Sequence, residues 1–402
     1  LPGSDMGRGF RQTVVGTYVQ DDWVLRRNLS LSMGLRYAVA TVPSEVNGET
    51  TALRNLTDAR PHTGQPLFAN PTIRNFAPRL GFAWDPLHSG FLVVSSGVGI
   101  FDVLPLPYEI QSGELLAAPF YATGTATGLP AGSFSTGAYA IASKSTTGLA
   151  QAYFEPNPKR NYVMQWNATT QWRLPYDFSV KVGYVGSRGV HHIFRVRDAN
   201  MVLPTLTSAG YLWPTPRGSG TRLNPSVGTI NAAFWNGDSR YNAFVLQVRK
   251  QIHRSVQIGG SYTYGKSTDT SSGSFEGDEY LNAISSPLWF DTRLNRGQSD
   301  YDVTHSMKVT YSWQLPAPRY DFRPADWVLS GWQLGGVIEV SSGVPFTPSF
   351  GGDPLGVNST DTNVDVPSVV SGPDCATLVN PGSVGHFIKT ECLQVPRSTP
   401  EI

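Results

Sequence analysis

The sequence predicts an all-β protein built on an antiparallel transmembrane β-barrel sheet of about ten strands, with long extracellular loops. Three observations lead to this prediction. Long segments alternate apolar and polar residues, which is the period of a β-strand. These segments come in pairs joined by short turns, while long loops separate the pairs, an asymmetry typical of outer-membrane barrels. Only 15% of the 402 residues are charged, against about 25% in an ordinary soluble protein.

The clearest hairpin covers residues 161–189. From Tyr162 to Leu174 the even positions are mostly apolar or aromatic and the odd positions mostly polar. After the turn at Pro175-Tyr176-Asp177 the same alternation resumes and continues to Gly189. One such hairpin alone would be more typical of a soluble β-sandwich, so the repetition along the chain is what favours a barrel.

Four further strand pairs follow the same pattern, at residues 13–42, 74–103, 241–267 and 303–342. The stretches between pairs are rich in Gly, Pro, Ser and Thr and are predicted to be loops, and the composition of 104–160 argues against regular structure there. Residues 343–402 form a polar loop region without a sustained pattern. We therefore interpret residues 1–402 as one partial outer-membrane barrel domain.

The alternation assigns side chains to two faces. The face predicted to contact lipid carries Leu31, Leu35, Trp166, Trp172, Val180, Tyr311 and Ile338. The face predicted to line the lumen carries Arg36, Arg79, Gln165, Arg173, Lys181, Arg249 and Lys308. These cations indicate a lumen that binds or conducts a solute, but for any single residue the simpler explanation is that a wet interior tolerates charge.

Aromatic residues beside the short turns predict one aromatic girdle of a membrane barrel. They are Trp23, Trp84, Trp172, Trp313, Trp327 and Trp332. No run of about 18 apolar residues occurs, which excludes a transmembrane helix but not membrane strands, because alternation hides them from hydropathy windows.

The sequence contains no constellation typical of an enzyme, and we expect neither catalysis nor a cofactor. No two of the seven histidines have the i, i+4 spacing of a helical zinc site. Asp361, Asn363 and Asp365 resemble the start of a calcium loop, but Val366 occupies the position that requires glycine. A net charge of +1 gives no support for a nucleic-acid partner.

Several blocks resemble one family. Residues 18–23, YVQDDW, followed by NLSL at 28–31 and GLRY at 34–37, are similar to a hairpin of TonB-dependent receptors, in particular of the Oar-like branch that bears a carboxypeptidase-regulatory-like domain. Residues 76–85, 182–189, 262–267 and 342–346 also resemble recurrent blocks of that family. The resemblance extends from about Gly16 to Thr347.

This resemblance implies a barrel of about 22 strands closed by an N-terminal plug, in contact with outer-membrane lipid and with the TonB complex, that actively takes up a solute. The expected location is the outer membrane of a Gram-negative bacterium. The chain departs from the family pattern, since we find no signal peptide, regulatory-like domain, TonB box, plug or C-terminal aromatic strand. We therefore expect it to be part of a larger protein.

Two other classes of function stay open at this stage. One is a passive porin-like or adhesive outer-membrane protein, which a plug and a TonB box encoded upstream would exclude. The other is a secreted β-rich carbohydrate-active enzyme. That class needs two acidic residues converging on a groove, and the sequence nominates no such pair.

Two structural expectations follow from the barrel interpretation. Cys375 and Cys392 should pair in an extracellular loop, because that compartment is oxidising. Ten strands from a curve shaped for about 22 should not close, so the strand near residues 13–25 and that near 331–342 should be open edges of a curved sheet.

Overall fold

The computed structural model describes residues 3–124, 128–144, 148–208, 210–213, 220–252, 255–273, 288–316, 331–353, 355–358, 366–380, 382–383 and 385–395. Within these ranges no helix has both the length and the apolar character needed to cross a membrane.

One large sheet dominates the fold, and its ten long strands alternate in direction. In chain order they are β1 Val14–Arg26, β2 Leu29–Ala40, β3 Phe76–Trp84, β4 Leu92–Asp102, β5 Tyr162–Leu174, β6 Phe178–Val196, β7 Ile230–Ile252, β8 Val256–Asp269, β9 His305–Gln314 and β10 Gln333–Ser341. Each long strand pairs antiparallel with its neighbours in sequence, from β1 at one edge to β10 at the other. This confirms the predicted all-β antiparallel fold.

The sheet is open along both edges. Among the described strands, β1 pairs only with β2, and β10 pairs only with β9. Across the described part of the chain, no ladder of hydrogen bonds joins β1 to β10. Both edge strands therefore present unpaired backbone N–H and C=O groups on one side, in agreement with the expected open sheet.

Two strands extend well beyond the predicted hairpins. β6 continues to Val196 and β7 already begins at Ile230, so the two strands pair far into the predicted 190–240 loop. Register irregularities near His192 interrupt this extension. The extension has no clean alternation because its side chains pack against loops on more than one side, which local periodicity does not report.

The connection 104–160 differs from its expected irregular structure. It forms helix α1 at Pro107–Leu115, helix α2 at Phe134–Ala142 and a short strand at Gln151–Phe154. That strand pairs parallel with the start of β7 and, with Gly297–Gln298 beside β8, brings the sheet to 12 strands. Pro107 suits the first turn of α1, since its missing N–H has no partner there in any helix. Most of the stability of these short helices comes from tertiary packing.

Further short elements lie in the loops. The strands are Phe10–Arg11, Ser44–Glu45, Thr51–Ala52, His62–Thr63, Thr205–Thr207, Gly210–Leu212, Ser368–Val369 and Leu393–Gln394, and the 3-10 turns are Thr292–Asn295, Pro373–Cys375 and Thr390–Cys392. Cys375 and Cys392 are joined by a disulfide, with their Cα atoms 5.4 Å apart. The strands Ser368–Val369 and Leu393–Gln394 pair with each other and close a small C-terminal unit, residues 368–394. The disulfide is a second link between the two halves of this unit.

Alkylation of the folded protein is expected to leave Cys375 and Cys392 unmodified until a reductant is added. Replacing both by serine should destabilise this C-terminal unit by roughly 3 kcal/mol in the entropic model of a loop of this length. Mass spectrometry of alkylated peptides tests the pairing. Modification of either cysteine without reductant would contradict it.

Candidate functional site

The register of the ladders sorts the side chains of the long strands onto two faces. Gly99 has Arg79 as its cross-strand partner on one side and Gln165 on the other. Further along the sheet, Lys181, Gln247, Ser261 and Lys308 are successive cross-strand partners on four neighbouring strands. We call the side that carries these residues the polar face. All the predicted lumen residues lie on it: Arg36, Arg79, Gln165, Arg173, Lys181, Arg249 and Lys308.

The opposite side, the apolar face, carries the residues that the sequence predicts to contact lipid: Leu31, Leu35, Trp166, Trp172, Val180, Tyr311 and Ile338. On β7, Arg240 and Lys250 are the charged residues that bracket this face, with Phe244, Leu246 and Val248 between them. At about 3.3 Å per residue and a tilt of about 40°, the strand between the two charges spans a height of about 25 Å. This is the height of the apolar band of membrane barrels.

Charged and aromatic groups mark both limits of this band. At the turn end, the Lys250 ammonium donates to the Tyr176 carbonyl and lies 4.2 Å from the centre of the Phe178 ring. At the loop end, Asp238 lies within 2.7 Å of Arg296, 3.3 Å of Arg188 and 3.6 Å of Arg240.

The tryptophans near the turns stand at the turn limit of the sheet. Trp23, Trp84, Trp313 and Trp332 are between 41% and 59% exposed, and Trp172 is half-buried. Trp327 lies outside the described residues. Within the band, Trp166 covers Gly186 and Tyr311 covers Gly336 on the neighbouring strands, so that a side chain at either glycine would collide with the ring.

The polar face is crowded by long side chains lying over glycines. The Arg36 guanidinium lies across Gly16, and Arg79 lies beside Gly99 with its guanidinium 4.4 Å from the centre of the Phe101 ring. Lys308 Nζ lies 3.1 Å from Glu339 Oε2 on the adjacent strand. Arg36, Arg79 and Lys308 are therefore each held in a defined position on this face.

A cleft of about 530 Å³ opens at the turn end of the sheet. Small residues form much of its surface, notably Ser179, Gly259 and Ser312, while Arg249 and Gln257 line it with long polar side chains. The register places Arg173 and Arg249 directly opposite Ser179 on the two neighbouring strands. The sequence named these cations, but only the register brings them together.

At the end of the sheet opposite the short turns, the long connections pack into a structure that we call the loop cap. Its largest buried side chains include Trp235, Phe154 and Phe68, with Phe68 and Trp235 rings 5.1 Å apart. Ile110 of α1 joins the same cluster. Sequence periodicity missed these residues, because they come from separate parts of the chain and meet only in the folded protein.

Buried polar groups fix the loop cap as well. The Asn200 amide donates to the backbone carbonyls of Asn224, Val227 and Gly228, and Arg222 donates to Asp198 at 2.6 Å. Because buried polar groups cost free energy unless they are paired, this network specifies one arrangement of the 198–228 connection.

Glu114, at the end of α1, is fully buried in the loop cap. Its Oε2 accepts a hydrogen bond from the Thr51 amide at 2.9 Å, while its Oε1 has no partner among the described residues. Burial raises the pKa of Glu114 from 4.5 to about 8, opposed by the Thr51 amide and by Arg8. The folded chain therefore keeps this carboxyl protonated where an unfolded chain would lose the proton.

The loop cap is expected to lose stability as pH rises from about 4.5 to about 8, because between these values the folded state holds the Glu114 proton and the unfolded state does not. Glu114→Gln should remove this pH dependence while its amide oxygen still accepts from Thr51. Hydrogen exchange of the Thr51 amide, corrected for the intrinsic effect of pH, measures the difference. An unchanged pH dependence in the variant would show that another group is responsible.

In the described ranges, no group of three or more His, Cys, Asp or Glu residues is arranged to hold a metal ion. Asp361, Asn363 and Asp365 lie outside these ranges. The adjacent His191 and His192 belong to β6, where His191 Nδ1 lies 3.1 Å from the Arg160 carbonyl oxygen.

An antiparallel meander of long strands, with one face apolar over a membrane-sized band and the other polar, is the architecture of an outer-membrane β-barrel wall. The family described as outer membrane beta barrel domain matches residues 4–400, and the chain belongs to it. Its place is therefore the Gram-negative outer membrane.

Several solved structures are similar to the chain, and three of them illustrate the likeness. They are the siderophore receptor PirA from Pseudomonas aeruginosa (13% identity, 76% of this chain, 38% of that chain, TM-score 0.37), the FrpB iron transporter from Neisseria meningitidis, F5-1 variant (11%, 76%, 32%, 0.41), and the outer membrane transporter YddB from Escherichia coli (13%, 75%, 31%, 0.40). The chain thus spans about a third of the length of these proteins. No match to a curated protein was found.

Proposed function

We propose that this chain forms part of the barrel wall of a TonB-dependent outer-membrane receptor of the Oar-like branch, which actively takes up a solute. The observation that carries the membrane assignment is the apolar band on β7 between Arg240 and Lys250. The blocks at residues 18–37, 76–85, 182–189, 262–267 and 342–346 support the choice of this branch over other outer-membrane barrels.

In this proposal the apolar face contacts lipid and the polar face lines the solute path. Ser179 and Val180 are neighbours on β6 that point to opposite faces, so they test the assignment. A cysteine at position 179 should react with a water-soluble maleimide in protein reconstituted into lipid vesicles, whereas one at 180 should not. Labelling of 180 but not 179 would reverse the two faces.

The open edges support the proposal that the sheet is one sector of a larger barrel. Hydrocarbon cannot satisfy the unpaired backbone groups of β1 and β10, so each edge needs a further strand in the membrane. Cysteines at Val19 and Ile338, on the apolar faces of the two edge strands, should therefore not form a cross-link in the membrane. Efficient cross-linking within one molecule would favour a self-contained barrel.

Active uptake separates this function from a passive porin-like or adhesive protein. Accumulation of the solute by cells should stop when the proton-motive force is dissipated or when TonB is deleted, and should return with TonB. Entry that persists under both treatments would favour the passive alternative. The supporting observation for active uptake is the resemblance of the residue blocks.

A further inference from the structure

The strongest feature outside the functions considered so far is a group of three cations on the polar face. Ser179 of β6 has Arg173 of β5 directly opposite it on one side and Arg249 of β7 on the other. Lys181 follows two residues later on the same face of β6. Since opposite Cβ atoms lie about 5 Å apart in a sheet, the register sets these three cations around Ser179 on one face.

The charges of this group are not neutralised within the described residues. Among the residues that the structure describes, no carboxylate oxygen lies within 4.0 Å of any of the three cations. Asp177 borders the cleft at the turn but makes no ion pair with Arg249 at this distance. Lys308, by contrast, lies 3.1 Å from Glu339 on the same face.

The loop end of the sheet is organised differently. There, Asp238 forms ion pairs with three arginines, and Asp102 accepts a hydrogen bond from Arg160 at 2.7 Å. These arginines at the loop end are thus paired with acids, whereas Arg173, Lys181 and Arg249 form no ion pair with any described residue. Like charges this close are unfavourable unless water or an anion lies between them.

A cleft that Ser179 and Arg249 line opens beside the group, on the side of β7, β8 and β9. Ser179 and Gly259 leave a low floor beside Arg249, and Gln257, Thr310 and Ser312 add polar groups around the 530 Å³ cleft. Guanidinium groups donate in a planar fork that fits carboxylate, phosphate or sulfonate oxygens.

We propose that Arg173, Lys181 and Arg249 form a binding site for anionic groups of the transported solute, at the turn end of the polar face. This inference rests on the proposed function, in which the polar face lines the solute path. It names the substrate class as a solute that carries carboxylate, phosphate or sulfonate groups.

A fluorescent trisulfonate, 8-hydroxypyrene-1,3,6-trisulfonate, can probe the site in the full-length protein purified in detergent. Fluorescence anisotropy at low salt should give an affinity that Arg249→Gln and Arg173→Gln each weaken about tenfold, the equivalent of losing one charge-assisted contact. The affinity of the wild-type protein should also fall as salt is added. Retained β-sheet circular dichroism would exclude misfolding of the variants.

Lys308→Gln is the matched control, because it removes the same charge from the same face at a position that Glu339 already neutralises. It should change the affinity less than twofold, and Glu339→Gln, which releases Lys308, should strengthen binding. Equal losses for Lys308→Gln and Arg249→Gln would reduce the effect to net charge and overturn the site. Unchanged binding in Arg249→Gln and Arg173→Gln would also overturn it.

Maleimide labelling of cysteines at 179 and 180 separates this failure from failure of the proposed function. If position 179 is labelled and Arg249→Gln leaves the affinity for the trisulfonate unchanged, only the anion site is wrong. If position 180 is labelled instead, the face assignment is wrong and the anion site falls with it.

Discussion

Ile338→Arg is expected to lower the free energy of unfolding of the membrane-inserted protein by about 2–4 kcal/mol. Ile338 lies near the middle of β10, on the apolar face, and 56% of its surface is exposed. In the proposed orientation that exposed surface meets hydrocarbon, where a guanidinium loses its water or draws water into the bilayer. Denaturant-induced unfolding of the protein in lipid vesicles measures this loss.

Val337→Arg is the matched control for this substitution. Val337 precedes Ile338 on the same strand, is 63% exposed and lies on the polar face. The same arginine there should cost much less, because its guanidinium stays in water. Equal costs at the two positions would show that the two faces do not separate lipid from water, and a larger cost at Val337 would reverse them.

Phe154→Ala is expected to destabilise the loop cap by about 3–5 kcal/mol, the usual cost of emptying a buried phenylalanine site. Phe154 is 1% exposed and lies in the short strand that pairs with the start of β7. Its ring lies 6.4 Å from that of Phe68 in the buried cluster. Hydrogen exchange should accelerate in α1, in residues 151–154 and at the start of β7, while the middle of the sheet stays protected.

Phe134→Ala makes the same chemical change at an exposed position. Phe134 begins α2 and is 80% exposed, so its replacement should alter stability by no more than about 0.5 kcal/mol. A similar loss from both substitutions would mean that the loop cap is not a packed core. Faster exchange throughout the sheet in Phe154→Ala would mean that cap and sheet unfold together.

Alternation along the chain predicted the long strands closely. The predicted pair 13–42 corresponds to β1 Val14–Arg26 and β2 Leu29–Ala40, and the predicted 74–103 to β3 Phe76–Trp84 and β4 Leu92–Asp102. These predictions succeed because a strand with one apolar and one polar face has apolar and polar residues in strict alternation along the sequence.

The structure of the loop cap could not be predicted from alternation along the sequence. Composition suggested irregular structure for 104–160, yet α1 forms there because Ile110 packs in one buried cluster with Phe154 and with Trp235 of β7, which lie far away in the chain. Propensity decides little for a nine-residue helix, since most helical stability in proteins comes from tertiary contacts.

The sequence by itself determined the two faces of the strands and the alternation of short turns with long loops, because both depend on neighbours along the chain. Only the tertiary structure decided which residues of different strands stand side by side. The register alone sets Arg173 and Arg249 on either side of Ser179, and Lys308 beside Glu339. The physical reason is that cross-strand neighbours are separated by loops of any length, so their pairing leaves no period in the sequence.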